Sequence, residues 1–205
     1  AINIDHNIRE NSAQDSVFVK QYCRKTGIPC LFYKLNLKKG GNIENEARLA
    51  RYGIFNGLIE KKEFDLIATA HHALDNAETV LLHLFRGSGL KGAGGIARTT
   101  PNGIIRPLLN VKKSEIERYI EDNGIPYVTD ETNLNPDYNR NFIRLELIPA
   151  IESRFPGAVK NLCVFAEAAR KDEEFLQTLV PDPEKKKKGE IFIPDSDLTA
   201  APSVI

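Results

Sequence analysis

Residues 64–96, FDLIATAHHALDNAETVLLHLFRGSGLKGAGGI, constrain this chain more than any other stretch. Leu66–Ala70 is short, apolar and closed by a polar pair, the pattern of a buried strand. His71 and His72 follow at its carboxyl end. Asp75 and Glu78 then stand at the spacing of a capping box, in which the aspartate accepts a first-turn N–H and the glutamate reaches back. That predicts a helix from about Asn76 to Arg86, with Val80, Leu81, Leu84 and Phe85 as its apolar face. Arg86-Gly87-Ser88-Gly89 ends the helix, and Gly92, Gly94 and Gly95 continue a flexible loop. In an open α/β sheet, ligands bind beyond the carboxyl ends of the strands. Two imidazoles, a carboxylate, a helix start and a glycine-rich turn therefore point to one candidate site.

The surrounding chain repeats the strand–helix alternation. Ala1–Ile4 reads as a strand, and Ser12–Asp15 opens a helix that carries Val17, Val19, Tyr22 and Cys23 and stops at Gly27. Pro29–Leu37 is a second strand. After Gly40-Gly41, the spacing of Ile43, Ala47, Ala50, Ile54 and Leu58 predicts a long helix with one buried stripe. Ile104–Leu109 is a further strand, and Ser114–Asn123 a helix with Ile116, Tyr119 and Ile120 inward and Gly124 as its stop. This order predicts an α/β fold with a parallel sheet covered by helices on both faces. Tyr127–Asn141 is polar and turn-rich, with Asp130, Asn133 and Asp137 suited to local side-chain bonds. Phe142–Ile151 resumes helical character. Pro156–Leu179 predicts a long helix with Val159, Leu162, Ala166, Ala169 and Leu176 on one side. Residues 1–150 are expected to form the main domain and 151–180 a helical extension. Residues 181–205, opening with PDPEKKKKG, read as a linker and the start of a further domain.

Composition narrows the functional classes. Lys+Arg and Asp+Glu are 28 each, so attraction to a nucleic acid must come from a local basic patch. Cys23, Cys30 and Cys163 form no CxxC, which speaks against a disulfide framework or zinc site and fits a reducing cytoplasm. No apolar run approaches the roughly 18–20 residues that span a bilayer, and no signal peptide is visible. The chain starts without Met inside a strand and ends in a proline-containing stretch, so a fragment cut at both ends is expected.

Five stretches in order carry a family resemblance: IDHNIR (Ile4–Arg9), ENEARLARY (Glu44–Tyr52), Ala68–Ile96, IIRPLL (Ile104–Leu109) and DETNLNPDYNRNFIRLELIP (Asp130–Pro149). Through them the chain resembles the bacterial tRNA(Ile)-lysidine synthetases of the PP-loop (N-type) ATP pyrophosphatase group. Two departures stand out. The SGGxDS-type phosphate loop of that group does not occur here; matched by element order, it would precede Ala1. Leu74 stands where many members carry an acidic residue, and Asn76 where glutamine is usual.

The resemblance implies ATP-dependent joining of free L-lysine to the wobble cytidine of tRNA(Ile), with ATP and Mg²⁺ as cofactors. No membrane partner is implied, and a homodimer is. It implies Asp75, His71 and Arg140 as catalytic residues. His72, Arg86, Gly87, Asn141, Arg144 and His6 would bind substrate or ATP. Glu46, Arg48, Arg51 and Glu78 would support the site as a buried or half-buried network; none of these residues is implied as a metal ligand. Each has a plainer reading beside it. Asp75 is also a helix cap, Arg86 complements the helix dipole, and NRNFIR has a lesser reading as a solvated helix start. Lys185–Lys188 reads as a solvated linker. Two alternatives stay open: another PP-loop tRNA enzyme such as a thiolase, against which the scattered cysteines argue, and a non-catalytic nucleotide- or tRNA-binding module of the same fold.

Overall fold

In a computed structural model, residues 1–7, 12–35, 43–129, 138–179, 184–187 and 190–192 are described. Arg9, Gly40-Gly41, Asp130, Asn133 and Asp137 lie outside them, and so do the side chains of Ile43 and Lys185–Lys188. The chain divides into two compact units that interleave along the sequence. The first comprises Ala1–Thr69, Thr99–Ile105 and Pro126–Thr129; the second comprises Ala70–Arg98, Arg106–Ile125 and Asp130–Ile205.

The first unit is built on parallel pairing. Strand β1 (Ile2–Asp5) runs through helix α1 (Ser12–Thr26) into β2 (Leu31–Lys34), and β1 and β2 pair in parallel from Ile2 opposite Leu31 to Asp5 opposite Lys34. Gly27 ends α1 at φ +69°, a backbone that glycine adopts without a Cβ penalty. Helix α2 (Ile43–Glu60) follows, then β3 (Ile67–Ala68), which pairs in parallel with β4 (Ile104–Ile105). The expected α/β class with parallel strands and crossover helices is what these residues form, although the strands are shorter than the apolar runs that announced them. Their common core is Phe55 and Leu58 of α2 with Ile67 and Ile104; Ile2, Ile4, Tyr33 and Ile54 pack around it. Each such side chain contributes about 1.5–3 kcal/mol when fully buried. The predicted α2 stripe is recovered at Ala47 and Leu58, with Phe55 added through an edge-on contact with Tyr52.

The second unit is helical where described, apart from β5 (Glu184–Lys187) and β6 (Glu190–Phe192), an antiparallel pair. Helix α3 (Ala73–Phe85) is followed by the single turn α4 (Leu90–Ala93), α5 (Lys113–Asp122) and a continuous run of α6 (Asn139–Phe142), a π-turn (Ile143–Leu147) and α7 (Ile148–Arg154). Helix α8 (Ala158–Leu179) packs on α3, α4 and α7. Ala77 and Leu81 of α3 meet Ile143 and Ile148, with Val159 and Leu162 of α8 against them. Ala166 and Ala169 are buried, as the α8 periodicity predicts.

Three expectations are corrected. On α3 the buried face is Ala73, Ala77, Val80 and Leu81, whereas Leu84 and Phe85 are exposed (41% and 67%) because they lie on the last turn, beyond the contact with the π-turn. Tyr119 is exposed rather than inward, and α5 buries none of its residues. Glu46 and Arg48 are exposed on α2, so among the described residues they are not part of the buried or half-buried network expected there, whereas Arg51 is half-buried.

Candidate active site

The α3 start differs from the predicted one in an informative way. The helix begins three residues earlier, with His72 as its N-cap in extended backbone (φ −124°, ψ −178°). The Asp75 N–H donates to His72 Nδ1 (3.4 Å), and the His72 N–H donates to Asp75 Oδ2 (2.9 Å). Asp75 is therefore the reaching-back member of a His72–Asp75 box, the role that spacing assigned to Glu78. An imidazole nitrogen can accept as a capping oxygen does, and moving the cap to His72 releases Glu78 for a different task.

Glu78 is completely buried on the inner face of α3. It receives Arg140 Nε on Oε2 (2.8 Å), Arg144 Nε on Oε1 (2.6 Å) and Arg144 Nη2 on Oε2 (3.0 Å). Arg144 Nη2 also donates to Asp75 Oδ1 (3.2 Å), and Arg140 Nη2 lies 3.6 Å from the same oxygen. Two carboxylates and two guanidiniums thus form one quartet whose formal charges cancel. Asp75 is one turn nearer the open end of α3 than Glu78; its side chain is 14% exposed, those of Arg140 and Arg144 31% and 21%. Burial by itself would lower the Arg144 pKa, but its bonds to Glu78 and the charges of Glu78 and Asp75 outweigh burial and push it up. Such paired charges favour ionisation in a partly desolvated place.

The glycine-rich loop after α3 is held from two sides. Asn76, buried beside Asp75, accepts the Ile96 N–H on Oδ1 (2.7 Å). Arg170 of α8 donates to the Ile96 carbonyl (2.7 Å) and to the Gly94 carbonyl. Gly95 sits at φ +59°, where a Cβ would meet Asn76 Oδ1 at 2.4 Å, so glycine is required. The sequence reading missed Arg170, because a side chain that binds backbone carbonyls leaves no complementary charge to notice.

His71 is half-buried and Asn141 buried, both in the second unit. Arg86 caps the end of α3 and is exposed, and Gly87 follows at φ +72°. In the first unit, His6 is half-buried. Burial and the neighbouring Arg51 lower its pKa, with Asp5 acting the other way, and its Nδ1 has no hydrogen-bond partner among the described residues. No group of three or more His, Cys, Asp or Glu among the described residues is arranged to hold a metal ion, and both quartet carboxylates face guanidiniums. With their oxygens taken by guanidiniums, these two carboxylates do not fit Mg²⁺ as ligands.

Parallel strands joined by crossover helices are the architecture of nucleotide-binding α/β domains. A family model described as the PP-loop domain matches residues 1–151, and the chain belongs to that family. It is similar to the tRNA(Ile)-lysidine synthase of Bacillus subtilis (strain 168), 36% identical over 191 residues, which cover 89% of this chain and 40% of that relative. The tRNA(Ile)-lysidine synthase of Pseudothermotoga lettingae is 41% identical over 157 residues, covering 74% of this chain and 35% of the relative. The chain thus spans about two fifths of the length of these relatives. Among solved structures, the U34-tRNA thiolase NcsA from Methanococcus maripaludis with its [4Fe-4S] cluster superposes with a TM-score of 0.67 at 18% identity, over 93% of this chain and 65% of that chain, and shares the fold.

Proposed function

We propose that the chain is the catalytic domain of a tRNA(Ile)-lysidine synthase, which joins free L-lysine to the wobble cytidine of tRNA(Ile) at the expense of ATP. In this chemistry the cytosine carbonyl oxygen attacks the α-phosphorus and pyrophosphate leaves. The lysine ε-amine then attacks the activated ring carbon and AMP departs. The substrates are ATP, tRNA and a doubly cationic amino acid with one carboxylate.

The observation that carries the reading is the Asp75–Glu78–Arg140–Arg144 quartet, on a chain whose relatives bear the lysidine synthase name. Asp75, the accessible carboxylate, is suited to hold an ammonium group or to accept its proton before attack. Buried Glu78 keeps the two arginines in place, and the outward part of Arg140 is suited to an anion such as a phosphate or a carboxylate. The His72 N–H holds Asp75 Oδ2 and leaves Oδ1 toward the guanidiniums. His71 and Asn141 belong to the same unit, and Arg86 lies at the exposed end of α3 for contact with a polyanion. Nothing in this reaction is assigned to a metal held by the described residues. A cytoplasmic location accompanies the reading, in keeping with three free thiols.

The test is lysine transfer by the full-length protein, measured as labelled lysine incorporated into tRNA(Ile), with Asp75→Asn and Arg140→Ala as variants. Each is expected to lower the rate by about 10²-fold or more. Unchanged transfer in both would remove the site assignment. Pyrophosphate release by the unmodified protein separates an enzyme from a module that only binds nucleotide or tRNA.

A further inference from the structure

The helical run from Asn139 to Arg154 contains one irregular turn, and it lies where the site needs accuracy. Over Ile143–Leu147 the backbone forms a π-turn, with the Ile148 N–H donating to the Ile143 carbonyl five residues back. Pro149 follows at once, in the first turn of α7. Proline has no N–H, and in a regular α-helix its ring would collide with the carbonyl four residues earlier, here that of Leu145. A wider turn is a backbone that relieves this collision.

The same turn changes which side chains share a face. In an α-helix, residues four apart are offset by about 40° around the axis, and residues five apart by about 140°. A π-turn takes more than four residues per turn, so the five-residue offset shrinks, whereas residues four apart share a face in either geometry. The turn therefore lets Ile143 and Ile148 anchor the run together while Arg144, inside it, stays on the face of Arg140. Ile143 and Ile148, five apart, are both buried against Ala77 and Leu81 of α3. Arg140 and Arg144, four apart, place their Nε–H groups on the two oxygens of one carboxylate, Glu78, at 2.8 and 2.6 Å. The isoleucines favour the wide turn, but only the proline excludes the α-helical alternative.

We propose that Pro149 is a positioning residue: by imposing the π-turn it aims Arg144 at Glu78 and Asp75. The consequence for catalysis rests on the reading of the quartet as the lysine site; the geometric consequence does not. Pro149→Ala restores the N–H and the α-helical option without removing any apolar contact of Ile143 or Ile148. Replacing a helical proline by alanine favours the helix, so folding is not at stake.

The first readout is the Arg144 side-chain Nε–H resonance of the isotope-labelled chain, assigned by its loss in Arg144→Lys. Held on a buried carboxylate it is expected to be shifted downfield and protected from exchange, and in Pro149→Ala to move toward the free arginine position. The second readout is the full-length protein, whose KM for lysine is expected to rise roughly tenfold, the loss of one charge-assisted hydrogen bond, with kcat changed far less. Pro149→Ser, a weaker helix former, should give the same changes to a smaller degree. An unchanged Arg144 resonance in Pro149→Ala overturns the proposal, because the isoleucines would then suffice to hold the turn. A shifted resonance with an unchanged KM for lysine upholds the positioning role and overturns the lysine-site reading instead.

Discussion

Glu78→Gln is the most revealing single perturbation of this structure. Glutamine keeps the shape of the side chain but has one acceptor oxygen in place of two, and its NH₂ group must face a guanidinium. Of the three donors now on Glu78, at 2.6, 2.8 and 3.0 Å, at least one loses its acceptor and meets another donor. Two arginine charges would then share Asp75 alone. Removing one partner of a fully buried ion pair costs about 3–5 kcal/mol. Here the arginines keep 31% and 21% of their side-chain surface in solvent, so water offsets part of that loss, and about 3 kcal/mol is the expected figure. For a chain of this size that corresponds to a fall in Tm of about 6–12 °C. Thermal unfolding followed by circular dichroism, with urea titration as a check on the slope, measures it. The reasoning also requires non-additivity. In Arg144→Met two of these three bonds are already lost, so adding Glu78→Gln should cost clearly less than it does alone. A Tm change below about 2 °C for Glu78→Gln, or strict additivity in the double variant, would show that the quartet holds nothing together.

Two further outcomes follow from other contacts. Gly95→Ala places a Cβ 2.4 Å from Asn76 Oδ1 and 2.9 Å from Val80 Cγ2 at a backbone φ of +59°, so it should destabilise by about 1–3 kcal/mol and speed amide exchange at Ile96; unaltered exchange there would contradict it. Glu152 accepts the N–H groups of Val159 and Gly157 at the start of α8 (2.7 and 2.8 Å), and these bonds, with Val159 the leading one, lower its pKa in the folded state. A carboxylate depressed on folding adds stability that is present above its unfolded pKa, near 4.3, and is lost as pH falls through the lower folded value. Glu152→Gln should therefore lower Tm at pH 7 and flatten the decline below about pH 4.5; parallel pH profiles for the two proteins would rule this out.

Local chemistry made much of this architecture readable. Helices α1 and α5 end where Gly27 and Gly124 adopt φ +69° and +56°, and the α2 and α8 stripes recur in the buried Ala47, Leu58, Ala166 and Ala169. The α3 start was misplaced because Asp75 and Glu78 satisfy the spacing of a capping box as well as His72 and Asp75 do, and spacing carries no information about which pair the fold leaves free. Leu84, Phe85 and Tyr119 are apolar or aromatic at helical spacing, yet exposed, since periodicity marks a face without saying how far along the helix a partner extends. Glu46 and Arg48 failed for the converse reason: charged residues near a motif form a network only if another element closes over them.

The sequence by itself determined the parallel α/β class, the order of its helices and the family to which it belongs. These rest on interactions within a few residues and on ordered motifs, both written directly in the chain. Only the tertiary structure decided the centre of the candidate site. Glu78 meets Arg140 and Arg144 across 62 and 66 residues of chain, and Arg170 reaches the glycine loop across 74. The value of such a pair depends on desolvation and on geometry to a few tenths of an ångström. Both arise when the α6–α7 run packs its isoleucines on α3, and neither exists in the linear chain.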